Sequence, residues 1–135
     1  MQKHNEWLKK AKSDLKAANL LLIGEVFDAT VYHTQQSAEK ALKAFLVYKK
    51  QSIKKTHDLL FLLEECKEFD KRFEIFDQDV ADLNPFSTAF RYPDDYEMDP
   101  NKELASSSVD KSQRIYKFVL DIISEELTGQ LNIFK

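Results

Sequence analysis

The scarcity of glycine and proline is the feature that most restricts how this chain can fold. Only two glycines and three prolines occur among its 135 residues. Tight β-turns depend on both residues, and phosphate-binding loops depend on glycine. An all-β fold, a dinucleotide-binding fold and a P-loop are therefore excluded, and long helices joined by short connections are favoured. With 43% hydrophobic residues, the chain can bury one core as a single domain.

Five segments carry apolar residues at intervals of three and four, the spacing of a helix with one buried face. They predict helices over residues 5–22, 27–50, 59–66, 71–83 and 99–127. The simplest architecture is all-α, an up-and-down antiparallel bundle of four to five helices around one core. Residues 1–127 are expected to form this domain and residues 128–135 a loose C-terminal tail.

Local residue preferences predict where several of these helices begin and end. Gly24 is expected to end the first helix in the left-handed conformation. Thr56 is expected to cap the third helix, and Asp99 followed by Pro100 to begin the last one. Pro85 is expected to break the fourth helix and to move the preceding residue out of the helical conformation.

The composition also bears on the compartment and the partners. A single cysteine, Cys66, excludes an intramolecular disulfide and fits a reducing environment. No apolar run approaches the roughly 18–20 residues of a membrane span, and the first ten residues lack a signal-peptide core, so we expect a cytoplasmic protein without membrane contact. The net charge of −3 argues against nonspecific coating of nucleic acid. A lysine-rich run over residues 40–55 still offers a local basic surface.

The chemistry-bearing residue types do not form a metal or cofactor motif. The acidic residues between positions 94 and 99 lack the glycine turn and the ligand order of a calcium loop. One cysteine and scattered histidines have no zinc spacing. Cys66 has the helical spacing of a core residue rather than of a nucleophile. We therefore expect neither a metal nor a cofactor.

The second helix carries polar residues on one face beside its apolar stripe. This set contains Tyr32, Gln36, Glu39, Lys40 and Lys43. Polar groups at a packed interface must be hydrogen-bonded or they cost stability. Three interpretations remain open. In the first, the residues pair with each other at i, i+4 on a solvent face, as Glu39 can with Lys43. In the other two, they form a dimer interface, or they line a ligand groove in which Gln36, Lys40 and Lys43 contact the ligand.

Arg91 is the most promising ligand-binding residue of the later part of the chain. Its guanidinium can bind phosphate as a planar fork, while Tyr92 and Tyr96 can stack on a base. Alternatively, Arg91 pairs with the neighbouring carboxylates and holds the loop to the bundle. His57, which follows Lys54 and Lys55, is a further candidate, either as a ligand contact or as a first-turn residue bonded to a backbone group or a carboxylate.

Three ordered motifs resemble those of the HEPN domain family. They are QSAEKALKA at residues 36–44, THDL at 56–59 and RYPD at 91–94. The spacing of Trp7, Ala11, Asp14, Leu15 and Ala18 also fits. The resemblance extends from about residue 7 to residue 127 and is closest to stand-alone bacterial and archaeal members.

The resemblance implies a four- to five-helix antiparallel bundle that dimerises and often works beside a small nucleotidyltransferase. It also implies nucleotide binding, and membership of toxin–antitoxin pairs for part of the family. A toxin branch cleaves RNA without metal through an arginine followed four to six residues later by a histidine. Arg91 matches that arginine, but the following positions hold Asp95, Tyr96, Glu97 and Met98. The histidine is missing, so the expectation leans away from an enzyme.

Three functions are consistent with these observations. The first is a homodimeric binding module for a nucleotide, RNA or a companion nucleotidyltransferase. The second is a divergent, metal-independent ribonuclease that relies on Arg91 and on His57 or Tyr96. The third is a purely structural dimerisation domain.

Overall fold

The apolar stripes become the packed faces of a helical bundle. The computed structural model describes residues 3–90 and 99–133, with side chains described up to residue 129. Within these ranges the α-helices are α1 (Lys3–Ile23), α2 (Phe27–Tyr48), α3 (Leu59–Phe69), α4 (Asp77–Leu83) and α5 (Lys102–Ile133). Two short 3₁₀ segments, Lys71–Phe76 and Asn84–Ser87, flank α4. The predicted all-α bundle is confirmed.

Helix α2 lies at the centre of the bundle, where it packs against α1, α5 and α3. Ala38 and Ala41 are fully buried and allow close approach of its neighbours, as their small size predicts. Phe45 contacts Phe73 with ring centroids 4.7 Å apart, and Phe73 contacts Phe118 of α5 at 5.0 Å. Phe45 and Phe73 are fully buried, and burial of a side chain of this size contributes about 1.5–3 kcal/mol relative to exposure.

The end of α1 differs from the prediction in one residue. Gly24 does not take the left-handed conformation; Glu25 does, with φ of 61°. The amide of Val26 then donates to the carbonyl of Leu21 at 2.9 Å, which closes the helix end. The helix stops here as expected, but a residue with a side chain adopts the backbone conformation that glycine prefers.

The predicted caps of α3 and α5 are each displaced toward the helix by two residues. Asp58, not Thr56, caps α3: its carboxylate accepts from the amides of the next turn, and Thr56 instead accepts from the Asp58 amide at 3.1 Å. Asn101, not Asp99, caps α5, because its side-chain oxygen accepts from the Leu104 amide at 2.8 Å. Both corrections follow from local hydrogen bonds that several candidate residues could make.

The region around α4 and the end of α5 also differ from the prediction. The segment expected as one helix over 71–83 begins as a 3₁₀ turn and becomes α-helical at Asp77. Asn84 keeps helical dihedrals (φ −53°, ψ −42°), since Pro85 occupies an early position of a new 3₁₀ segment. Helix α5 passes Leu127 and reaches Ile133, so the expected loose tail is helical over residues 128–133.

Candidate functional site

The polar side chains predicted on α2 form two separate groups of contacts. Lys40 turns to α1, where its ammonium pairs with the carboxylate of Asp14. Lys43 pairs with Glu39 one turn before it on α2. Two groups of side chains result, which we name the Glu39 cluster (Gln35, Gln36, Glu39, Lys43 and His57) and the Asp14 cluster (Asp14, His33 and Lys40).

The carboxylate of Glu39 organises the first of these groups. Glu39 is only 3% exposed, and Lys43 is 7% exposed. One carboxylate oxygen accepts from the Lys43 ammonium at 3.0 Å, and the other lies 2.8 Å from Nδ1 of His57. The Lys43 ammonium also lies 5.7 Å from the centre of the Trp7 ring. The predicted Glu39–Lys43 pair is therefore present, but it is buried rather than on a solvent face.

The imidazole of His57 connects this buried pair to the surface. Its side chain is 72% exposed although Nδ1 contacts a buried carboxylate. Because the Glu39 carboxylate can only accept, Nδ1 carries the hydrogen, and the neutral ring presents the lone pair of Nε2. A carboxylate that orients an imidazole in this way prepares it to accept a proton or, when protonated, to bind an anion.

Two glutamines and the start of α3 hold His57 in place. The amide of Gln35, which is fully buried, donates to the backbone carbonyl of His57 at 3.1 Å, and Gln36 donates to Gln35 at 2.7 Å. On the other side, the Asn84 side chain accepts from the Leu59 amide at 2.7 Å. The backbone at His57 is therefore fixed from both α2 and the segment after α4.

The Asp14 cluster repeats the same chemistry between α1 and α2 at a shallower depth. One oxygen of Asp14 lies 2.9 Å from Nδ1 of His33, and the other pairs with Lys40. The side chains of Asp14, His33 and Lys40 are 13%, 31% and 25% exposed, respectively. Nearby, the Ser37 hydroxyl donates to the carbonyl of Ala11 at 2.8 Å, which ties the two helices together.

The predicted ligand contacts are distributed unevenly over this arrangement. Gln36, Lys43 and His57 meet in the Glu39 cluster, whereas Lys40 belongs to the Asp14 cluster. The remaining predicted contacts, Arg91, Tyr92 and Tyr96, lie outside the described residues. Phe90, directly before Arg91, has a φ of 68°, a conformation rare for a bulky residue, and packs on Phe86 with ring centroids 5.9 Å apart. Backbone of this kind persists only where surrounding contacts hold it, and it is concentrated at functional sites.

The sequence did not single out Gln35, Asp14 or His33, and it placed Glu39 only within the polar face of α2, without a role of its own. The sequence does contain a pattern that predicts the Asp14 cluster. His33 and Lys40 are seven residues apart on α2 and share a face, so a carboxylate on the facing helix would satisfy both. Glu39 lies one turn before Lys43, but only the fold shows that both are buried and that residue 57 reaches them.

Metal and thiol chemistry receive no support from the described side chains. Across residues 3–90 and 99–129, no three His, Cys, Asp or Glu side chains are grouped so that they could hold a metal ion. Burial raises the pKa of the Cys66 thiol, which disfavours the thiolate that a nucleophile requires. Helices of the described ranges also lack the combination of length and apolarity that a membrane crossing requires.

Comparison with known proteins extends the fold assignment. The family model described as HEPN domain matches residues 4–123. The crystal structure of TT1696 from Thermus thermophilus is similar with a TM-score of 0.82 and 26% identity, over 90% of this chain and 98% of that one. The crystal structure of ST0689, an archaeal HEPN homologue, is similar with a TM-score of 0.73 and 26% identity, over 89% of this chain and 97% of that one. The search of curated proteins found no match.

Proposed function

The chain belongs to the HEPN domain family, and from this premise we propose that it is a binding module for a phosphate-bearing ligand, a nucleotide or RNA. The ligand contacts His57 at the surface of the Glu39 cluster. One observation carries this proposal: an imidazole that is 72% exposed is held at 2.8 Å by a carboxylate that is almost completely buried.

The energetics of the Glu39 cluster support a role beyond packing. A buried ion pair is often no more stabilising than apolar residues of similar size, because both charges must be desolvated. Here the pair also fixes the orientation of a ring that faces solvent. Preorganisation of a polar group lowers the cost of ordering it when a ligand binds.

The surroundings of His57 are suited to an anion. Lys54 and Lys55 precede it, are exposed, and have no ion pair with any described residue. Exposed cations of this kind attract phosphate and increase the rate of encounter. Arg91, Tyr92 and Tyr96 supply the phosphate fork and the base-stacking rings in this proposal. Lys40 and Lys43 act through the carboxylates that they neutralise rather than by direct contact with the ligand.

Binding measurements with matched histidine variants test the proposal. Fluorescence anisotropy would follow a labelled single-stranded RNA, with AMP as competitor. His57→Ala is expected to weaken binding about tenfold, because the variant lacks the ring whose Nε2, once protonated, donates a hydrogen bond to the phosphate, and Arg91→Ala is expected to weaken it at least as much. His33→Ala is the control, because its imidazole lies in the Asp14 cluster, and it should bind like the wild type. Equal binding by His57→Ala, or no binding by the wild type, would overturn the proposal.

We propose further that the module acts as a homodimer beside a companion nucleotidyltransferase, as the family resemblance implies. Sedimentation velocity over a range of concentrations tests the dimer, and co-expression with a small nucleotidyltransferase tests the partner. Lys43→Glu is unsuitable for this purpose. It would place a second carboxylate against buried Glu39 and unfold the chain rather than separate two subunits.

A metal-independent ribonuclease is the second candidate, and the Glu39–His57 pair favours it. RNA cleavage needs a base near the 2′-hydroxyl, and an imidazole oriented by a carboxylate is suited to that task. His57 would then replace the histidine that is missing after Arg91. This activity predicts cleavage of RNA in EDTA that His57→Ala abolishes and His33→Ala retains. Intact RNA after prolonged incubation with the wild type would exclude it.

A further inference from the structure

A basic groove lies between α1 and α5, apart from both carboxylate clusters. Its volume is about 660 Å³. Helix α1 contributes Lys9, Lys12 and Lys16, and α5 contributes Tyr116, Lys117 and Leu120. Of the described residues that line it, none is acidic. The groove therefore collects positive charge on a chain whose net charge is −3.

The three α1 lysines of the groove are not neutralised by their neighbours. No described carboxylate forms an ion pair with Lys9, Lys12 or Lys16, whereas Lys117 pairs with Asp121 at 3.2 Å. Their spacing of i, i+3 and i+7 places them on one face of α1, over a rise of roughly 10 Å. Three like charges on one helix face repel each other unless a partner of opposite charge neutralises them.

The same face of α1 becomes apolar toward the end of the helix. Leu20 and Ile23 follow Lys16 at i+4 and i+7, and they are 60% and 79% exposed. Leu120 of α5, which lines the groove together with the lysines, is 37% exposed. The surface therefore has lysines at one end and two adjacent exposed apolar side chains at the other, and apolar side chains that adjoin in this way mark interaction sites more often than isolated ones do.

We infer that this surface docks an acidic amphipathic helix of a partner protein. Carboxylates at i, i+3 and i+7 of such a helix match the lysine spacing, and apolar residues further along it cover Leu20 and Ile23. Helices that bind grooves in other proteins are recognised through side chains at this spacing. A nucleic acid would satisfy the lysines but would leave the two apolar side chains uncovered, so the observations favour protein.

A stapled helical peptide provides a defined probe for this surface. It would carry glutamates at i, i+3 and i+7 followed by two leucines on the same face, and its control would have glutamine in place of each glutamate. Isothermal titration is expected to give saturable binding of the acidic peptide, weakened by salt. The glutamine peptide and a poly(U) RNA should bind at least about tenfold more weakly, since the charge complementarity or the apolar contact is missing.

Matched charge reversals locate the binding site. Lys12→Glu/Lys16→Glu is expected to weaken peptide binding at least about tenfold, and Leu20→Ser/Ile23→Ser should weaken it separately. Lys71→Glu/Lys102→Glu reverses two exposed lysines outside the groove and should leave binding unchanged. All four substituted side chains of the lysine variants are exposed, so circular dichroism should show intact folds.

Three results would overturn the inference: equal binding by both lysine variants, preferential binding of RNA at this face, or self-association of the wild type that Lys12→Glu/Lys16→Glu abolishes.

Discussion

The two carboxylate clusters of α2 use the same three kinds of side chain at different depths. Glu39 and Lys43 are almost completely buried, and only His57 reaches solvent. Asp14, His33 and Lys40 are all partly exposed. Water can replace the contacts of the Asp14 cluster but not those of the Glu39 pair. The two clusters therefore differ because of their burial. The buried Glu39 cluster holds a surface imidazole in a fixed orientation, whereas the Asp14 cluster adds only a small contribution to the contact between α1 and α2.

Removal of the Glu39 carboxylate should have the largest effect on stability. Glu39→Ala leaves the buried Lys43 ammonium without a partner, and we expect a loss of about 3–5 kcal/mol in the free energy of unfolding. Urea unfolding at pH 7, followed by circular dichroism, measures this loss. The double variant Glu39→Leu/Lys43→Met removes both charges and should recover most of it. A single variant that costs less than about 1 kcal/mol would mean that water reaches the pair.

The corresponding change in the Asp14 cluster should cost much less. Asp14→Ala exposes Lys40 and His33 to water rather than stranding a charge, so we expect a loss of about 1 kcal/mol. The same urea measurement applies, and Asp14→Asn, which keeps a hydrogen-bond acceptor, should lie between the alanine variant and the wild type. If Asp14→Ala costs as much as Glu39→Ala, depth does not distinguish the two clusters.

A stabilised background would keep the most damaged variants folded enough to compare. Glu25 adopts a left-handed φ of 61° that glycine tolerates without penalty, so Glu25→Gly should raise the free energy of unfolding by about 1 kcal/mol. Glu25→Ala is the control, because it removes the side chain but not the backbone strain, and it should change stability little. An equal effect of both substitutions would show that the backbone conformation is not the cause.

His4 is a buried imidazole without a carboxylate partner in the described part of the chain, and we expect it to have the smallest effect on stability, seen as a dependence on pH. It is buried, its Nε2 has no hydrogen-bond partner among the described residues, and burial lowers its pKa below 6.5. The unfolded chain therefore binds a proton at a higher pH than the folded one. Stability should fall as the pH drops below 6.5, by less than about 1 kcal/mol from this residue. His4→Leu should reduce that fall, as measured by urea unfolding at pH 7.5 and 5.5; an unchanged difference between the two pH values would contradict it.

Much of the bundle was predictable because its determinants are local. The three-and-four spacing of apolar residues on α1, α2 and α5 reports a buried face whatever the details of packing. Helix ends were less predictable, since Thr56 and Asp58, or Gly24 and Glu25, offer competing local solutions. The free energy difference between such solutions is small, and tertiary contacts such as Asn84 with Leu59 decide between them.

The candidate site was predictable only in part, because its geometry depends on distant segments. The sequence predicts Gln36, Lys43 and His57 as ligand contacts, and it offers the Glu39–Lys43 pair as one alternative for the polar face of α2. Burial of that pair depends on Trp7 of α1 and on the segment before α3, which are far apart in sequence. The periodicity of α2 alone does not reveal these contacts.

NMR of the His57 ring tests most directly whether the buried Glu39–Lys43 pair prepares this imidazole for a ligand. Long-range ¹H–¹⁵N spectra at pH 7.5 distinguish the two neutral tautomers and can be repeated as AMP or a short RNA is added. We predict that Nδ1 carries the hydrogen and that Nε2 shifts on addition of ligand, whereas His33 does not shift. Hydrogen on Nε2 instead, or a His57 ring that stays unchanged at saturating ligand, would show that the buried Glu39–Lys43 pair does not orient this imidazole for binding.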